Sequence, residues 1–291
     1  MTTDLKFYVN NWIFGNVSLE EVIQRASDLG FHGIELVGEP SMIKAKDVNQ
    51  ILKDTGMHVI SICCMHPGPA KNDLRLLSHP DIKERRKAVS YVKACIDLAK
   101  ETGARSVLVV PSLVGQPSPI VSYESDLHAA IEPLQTLAEY AGSLDVLLTI
   151  EPINRYEVGL INNTTQAINL AERVGHGACR IMGDTFHMQI EEADGIPSAI
   201  RRVGNYWLQH LHVADNTRQA PGMGTMNWLE ILRALYDIEY EGGVSLEPLP
   251  SGASPYDVRT GHIPKEDLDA ELRTGLKHLL DMKHLLLSDM H

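Results

Sequence analysis

Short apolar, β-branched runs alternate along this chain with longer stretches whose apolar positions recur at helical spacing. One phrase repeats: the end of an amphipathic helix, a glycine, a few polar residues, then an apolar strand. It occurs at Asp28-Leu29-Gly30 before Gly33-Ile34-Glu35-Leu36-Val37, and at Asp54-Thr55-Gly56 before Val59-Ile60-Ser61-Ile62. It returns at Glu101-Thr102-Gly103 before Ser106-Val107-Leu108-Val109-Val110, and at Tyr140-Ala141-Gly142 before Val146 to Ile150. Arg173-Val174-Gly175 precedes the strand around Arg180-Ile181-Met182, and Arg202-Val203-Gly204 precedes Trp207 to Val213. Glycine supplies the left-handed backbone that ends a helix. With an opening run near Phe7-Tyr8-Val9 and a closing one at Gly243 to Leu246, eight strands are predicted.

Helices fill the intervals. Ser18-Leu19-Glu20-Glu21 reads as a capping box opening a helix to about Leu29. Pro80 opens a long helix to Thr102, and others are expected over 44–55, 124–141, 164–174, 193–203 and 227–238. A last amphipathic helix covers about 265–287. Strand–helix alternation of this kind predicts an α/β fold: a (β/α)8 TIM barrel, a single domain over residues 1–291 with a C-terminal helical extension. A doubly wound open sheet is disfavoured, because no glycine-rich phosphate fingerprint follows the first strand.

Charge and cysteine usage narrow the function. A net charge of −12 repels phosphate backbones and argues against nucleic acid as a partner. Cys63, Cys64, Cys95 and Cys179 have no CxxC spacing, and Cys63 and Cys64 point to opposite faces of one strand. A reduced, cytoplasmic protein is expected. Met1 to Leu5 lacks the basic residues of a signal peptide, and no run reaches membrane-spanning length, so no membrane partner is expected.

In such a barrel the working residues lie at the C-terminal ends of the strands. Strand five ends in Leu147-Leu148-Thr149-Ile150-Glu151-Pro152, where proline cannot continue the ladder and leaves the carboxylate at the mouth. Val244-Ser245-Leu246-Glu247-Pro248 repeats the pattern at strand eight. Strand six delivers Asp184 and strand seven His212, each about one βα unit from the next. Three carboxylates converging on one mouth are costly unless a cation sits among them. Oxygen donors with one imidazole suit Mn²⁺, Mg²⁺ or Co²⁺, and zinc less well.

Other residues have two readings. His210 shares a face with His212 one layer deeper and reads as a hydrogen-bonded core histidine rather than a ligand. His187, at the start of the loop after Asp184, is either a substrate donor or a capping residue. Arg218, on the glycine-rich loop Asn216 to Gly224, and Glu157 each face the site or solvent. His66, after strand three, faces the site or is a plain loop histidine. Phe7, Tyr8, Trp12 and Phe14 either wall a sugar pocket or fill the barrel core.

The stretches Glu151-Pro152-Ile153-Asn154-Arg155-Tyr156-Glu157, Asp184-Thr185-Phe186-His187-Met188, His210-Leu211-His212 with Arg218 to Gly224, and Leu246-Glu247-Pro248 resemble the motif set of the ketose 3-epimerases. These are the D-tagatose and D-allulose 3-epimerase group of the xylose-isomerase-like barrels. The resemblance implies that Glu151, Asp184, His212 and Glu247 hold a divalent metal, with Mn²⁺ the first choice and Co²⁺ or Mg²⁺ next. It implies that Glu151 and Glu247 double as the catalytic acid–base pair, and that Glu157, His187 and Arg218 bind the sugar; His66 is added as a candidate contact. It also implies a homodimer or homotetramer. The chain departs from the family pattern at Val109 to Val114, at Val9-Asn10-Asn11-Trp12, at Cys64-Met65-His66-Pro67 and over Ser251 to His262, which bears on the sugar rather than the metal.

The chemistry expected is inversion of C3 of a ketose through a cis-enediolate. A metal acts as Lewis acid, and two glutamates take and return the proton on opposite faces. A free ketose is preferred to a sugar phosphate, because no phosphate cradle is evident. An aldose–ketose or hydroxypyruvate-type isomerase on the same metal site is the alternative, followed by a keto-cyclitol or dehydroshikimate-type dehydratase. A multi-zinc endonuclease needs more histidines at the mouth and a basic surface.

Overall fold

Eight parallel strands pair in sequence order and close on themselves, with β1 (Phe7–Asn10) meeting β8 (Gly243–Leu246) through Phe7↔Val244 and Tyr8↔Ser245. Between them lie β2 (Gly33–Val37), β3 (His58–Cys64), β4 (Ser106–Val109), β5 (Leu147–Ile150), β6 (Cys179–Asp184) and β7 (Leu208–Val213). This is the (β/α)8 barrel expected. The computed structural model describes residues 4–53, 55–64, 66–68, 72–254, 258 and 264–289. Met65 and most of 255–262, which carry two of the departures from the family pattern, lie outside the described residues, as do residues 1–3 at the start of the chain. Among the described residues no helix is long and apolar enough to cross a membrane.

Among the described residues the helices are α1 (Leu19–Leu29), α2 (Ala45–Leu52), α3 (Ile82–Thr102), α4 (Tyr123–Ser143), α5 (Thr164–Val174), α6 (Thr185–Glu191), α7 (Ile196–Trp207), α8 (Trp228–Asp237) and α9 (Lys265–Asp289). Several expectations are corrected. Asp81, not Pro80, caps α3 by accepting from the Lys83 amide. Ser18 accepts from the Glu21 amide, whereas the reciprocal capping box occurs at Asn163 and Gln166. Gly142 stays inside α4, and Asp145 takes the left-handed turn instead (φ 57°), because an aspartate tolerates that region better than most side chains. The helix expected over 193–203 is α7, and an additional helix before it, α6, carries His187 on a helix rather than a loop. A β-carbon on Gly183 would lie 2.8 Å from Met188 Sδ, so α6 packs closely against the end of β6 at this glycine. The first segment is also not all strand: Asn11–Phe14 form a 3-10 turn capped by the Asn10 side chain.

Strand residues alternate faces. Ile34, Leu36, Val107, Val109, Leu148 and Ile150 pack into the layer beneath the helices. Cys63, Leu108 and Met182 join Val110, Ile153 and Val158 in a separate, smaller apolar cluster. The same alternation places Asn10, Glu35, Ser61, Thr149, His210 and Ser245 inside the barrel, where all are buried. Burying so many polar groups costs stability unless each finds a partner, so the interior is built for something other than packing. Outside, α9 lays Leu268, Leu272, Leu276 and Leu279 into the core, each contributing about 1.5–3 kcal/mol. Arg25 ties α9 to α1 through Asp269 Oδ1 at 2.7 Å.

Candidate active site and metal centre

The register of the last strands assembles the site. Asp184 is the final residue of β6 and lies beside His212 of β7. His212 lies beside Ser245, two residues before Glu247 at the exit of β8, and Glu151 follows β5 directly. One ligand atom from each of Asp184, His212 and Glu247 falls within 4.8 Å of the others, and the same holds for Glu151, Asp184 and His187. His212 Nδ1 sits 3.5 Å from Glu151 Oε1 and 3.4 Å from Glu247 Oε2. Neither contact is an aligned hydrogen bond, and both Glu151 oxygens and His212 Nδ1 are buried without a hydrogen-bond partner. Buried polar atoms left this way are rare. Two overlapping trios that share Asp184, with orphaned atoms on Glu151 and His212, fit a hard divalent cation.

Burial sets the protonation of these groups, modified by their neighbours. It pushes Glu151 up to about 7, against the opposing pull of His212. Burial would also raise Asp184, but the Arg218 guanidinium and His187 hold it below its usual range. Burial would lower His212, yet Glu247 and Glu35 carry it well above its ordinary value. Burial lowers His187. The environment therefore pushes two neighbouring carboxyls, Glu151 and Asp184, in opposite directions, a pattern typical of acid–base sites.

A cavity of about 400 Å³ opens above this cluster. Trp12, Val114, Phe186 and Leu249 give it apolar walls, and Glu157, His187, Arg218 and His66 are its polar lining. Arg218 bridges Asp184 Oδ2 and Glu247 Oε2 at 2.6 Å each. The Asn154 amide donates to Glu157 Oε1 at 2.9 Å and to His187 Nδ1 at 2.8 Å, which puts the His187 hydrogen on Nε2, 3.6 Å from Asp184 Oδ2. His66 packs edge-on against Trp12, with ring centroids 5.5 Å apart. The aromatic cluster near the N-terminus divides: Phe7 and Phe14 fill the core, while the Trp12 indole donates to Glu247 Oε1 at 2.7 Å.

Arg218 adopts a left-handed φ of 63°, a conformation that costs a non-glycine residue about 1–3 kcal/mol. Its loop is held by Asp215, a buried carboxylate accepting from the amides of Asn216 (2.9 Å), Gly222 (2.9 Å) and Met226 (3.2 Å) and from the Trp228 indole (2.8 Å). Removing this acceptor in Asp215→Ala leaves buried donors unpaired, which predicts a loss of at least about 1–3 kcal/mol in urea unfolding. An unchanged midpoint and slope would show that the loop holds itself.

Every candidate from the sequence thus faces one mouth: Glu151, Asp184, His212 and Glu247 at its floor, Glu157, His187, Arg218 and His66 around it. Sequence reasoning passed over Asn10, Glu35, Asn154 and Asp215. Glu35 had a signal, a carboxylate between Ile34 and Leu36 in an otherwise apolar strand. Asp215 had none beyond lying three residues after His212.

The family described as the xylose isomerase-like TIM barrel matches residues 23–281. The chain belongs to this family. Within it, the chain is 31% identical over 232 residues to D-psicose 3-epimerase of Ruminiclostridium cellulolyticum, covering 78% of this chain and 76% of that protein. It is 30% identical over 235 residues to the D-psicose 3-epimerase of Agrobacterium fabrum, covering 78% of each. The crystal structure of a D-psicose 3-epimerase in the presence of D-fructose superposes with a TM-score of 0.81 at 25% identity, over 94% of this chain and 98% of that one. This xylose isomerase-like barrel therefore has relatives named as epimerases across most of its length.

Proposed function

We propose that this barrel is a divalent-cation-dependent epimerase that inverts C3 of a small free ketose. The observation carrying the reading is the pair of buried glutamates, Glu151 and Glu247, that both reach His212 Nδ1, at 3.5 and 3.4 Å. Glu151, Asp184, His212 and Glu247 would hold the cation, Mn²⁺ by preference, with Co²⁺ or Mg²⁺ as substitutes. When bound there, the cation supplies Lewis acidity, lowering the cost of placing negative charge on the substrate oxygens. One glutamate removes the C3 proton and the other returns a proton to the opposite face. With burial pushing it up to about 7, Glu151 can hold or release a proton near neutral pH, as such a role needs. Arg218 brings positive charge to the developing enediolate, and the His187 Nε2–H, freed by the Asn154 contact at Nδ1, donates to a substrate oxygen. Glu157 accepts from a hydroxyl, and His66 with Trp12 borders the far end of the sugar.

A free ketose is preferred to a phosphorylated one because Arg218, the guanidinium lining the cavity among the described residues, is already engaged with Asp184 and Glu247. The names of the relatives, D-psicose 3-epimerases, support the same class. The homodimer or homotetramer that the resemblance implies belongs to this proposal and is read by light scattering. The reaction is tested by incubating D-psicose, D-fructose and D-tagatose with the Mn²⁺-supplemented protein in D₂O. Deuterium at C3, with the C2 carbonyl retained, is expected. Label at C1 with a shifted carbonyl would make the protein an aldose–ketose isomerase, and no label in any ketose would remove the proposal.

A further inference from the structure

Glu35 sits in the middle of β2, below the strand ends where working residues are sought, yet it is fully buried and joins two sides of the site. Its Oε2 lies 2.7 Å from His212 Nε2, 3.3 Å from His210 Nε2 and 3.1 Å from Asn10 Nδ2. The Asn10 amide also donates to Glu247 Oε1 at 3.1 Å, the oxygen that takes the Trp12 indole. We propose that Glu35 is a positioning residue that keeps the proton of His212 on Nε2, turns Nδ1 toward the carboxylates, and through Asn10 selects which oxygen Glu247 presents. This rests on the proposed cation site.

The reasoning is one of donors and acceptors. An ionised carboxylate only accepts, so the imidazole nitrogen 2.7 Å from it must carry hydrogen. Nε2 is then committed, and Nδ1, once it has given up any proton of its own, is the nitrogen able to ligate. Glu247 is sorted in the same way. With Oε1 taking two N–H donors, Oε2 is the oxygen left facing His212 Nδ1 and Arg218. Two ligands on different strands are thus oriented by one buried acid. A carboxylate behind a metal-binding histidine usually governs its ring orientation. Glutamine at this position could turn its amide so that the NH₂ faces Nε2, which would move the ring proton to Nδ1 and block ligation.

Glu35, His210 and His212 could instead form a cation site of their own, since one ligand atom from each falls within 4.8 Å of the others. Convergence of the Nε2 atoms of His212 and His210 on a single oxygen, at 2.7 and 3.3 Å, favours hydrogen bonding over a second ion.

Calorimetric titration of Mn²⁺ into chelator-stripped wild type and Glu35→Gln tests this. One Mn²⁺ per chain is expected, with affinity about 10- to 100-fold weaker in Glu35→Gln. Equal affinity in the two proteins overturns the positioning role alone. Two ions per chain in wild type, falling to one in the variant, also overturns it and makes the trio a second cation site. No Mn²⁺ binding by wild type removes the cation site itself, and the inference with it. Should Glu35→Gln fail to fold, the ¹⁵N-histidine spectrum of Mg²⁺-loaded wild type decides. His212, assigned by its loss in His212→Gln, is expected with hydrogen on Nε2, and hydrogen on Nδ1 overturns the inference.

Discussion

Glutamine at position 151, or at position 247, is expected to lower epimerisation of the best ketose by about 10²- to 10⁴-fold, the range positioned proton-transfer groups supply. Both side chains are buried and both lie against His212 Nδ1, so either substitution also removes a candidate metal ligand, and the rate alone does not separate the two effects. Isotope exchange does. If each glutamate serves one face of the sugar, a chain lacking one of them still takes the proton from the face of the other. Glu151→Gln should then exchange the C3 hydrogen of one epimer with D₂O, and Glu247→Gln that of the other, with little epimer formed in either. Equal exchange from both epimers in both variants would show that a single base serves both faces. Near-wild-type turnover in either variant would remove the pair.

Chelation is the second large effect. Stripping divalent ions should abolish turnover, and Mn²⁺ should restore it with a rise in thermal stability, about 2.7 kcal/mol at a hundredfold excess over Kd. The pH dependence has a definite sign. Folding raises the Glu151 carboxyl from an ordinary value of 4.5 to about 7, so the chelated folded chain holds a proton that the unfolded chain has lost. His212, also raised, acts in the same direction. The chelated protein should therefore lose stability from about pH 4.5 to 7 through Glu151 and from 6.5 upward through His212, and cation binding should tighten with rising pH as these protons are displaced. Thermal melts and Mn²⁺ titrations from pH 5.5 to 8 measure both. Affinity that is flat with pH would mean that Glu151 does not ligate.

Much of the site was legible because a barrel strand announces its end. Glu151 and Glu247 stand out since proline follows each, and the strand-to-strand spacing predicts that Asp184 and His212 join them. The alternation of β2 carried Glu35 inward just as plainly, but a search confined to strand exits passes over a residue two positions below the rim. Asn154 lay inside a recognised motif, but its task of bridging Glu157 and His187 needs three dimensions. The helix nature of Thr185–Glu191 was hidden because Asp184 both ends β6 and caps α6, accepting from the Phe186 amide. Asp215 was invisible for a different reason: three of its four donors come from a loop whose path no local pattern foretells, and the fourth is the Trp228 indole at the start of α8.

The loop bearing Arg218 does not rest on the barrel alone. Glu271 of α9 accepts from the Ala220 amide at 2.8 Å, and a β-carbon on Gly222 would meet His278 of the same helix at 2.6 Å. Since α9 also lays Leu268, Leu272, Leu276 and Leu279 into the core, the last helix supports the arginine and the barrel together. Early termination before α9 should therefore cost folding and activity at once, whereas Glu271→Ala, which removes only the loop's acceptor, should lower turnover more than it lowers stability.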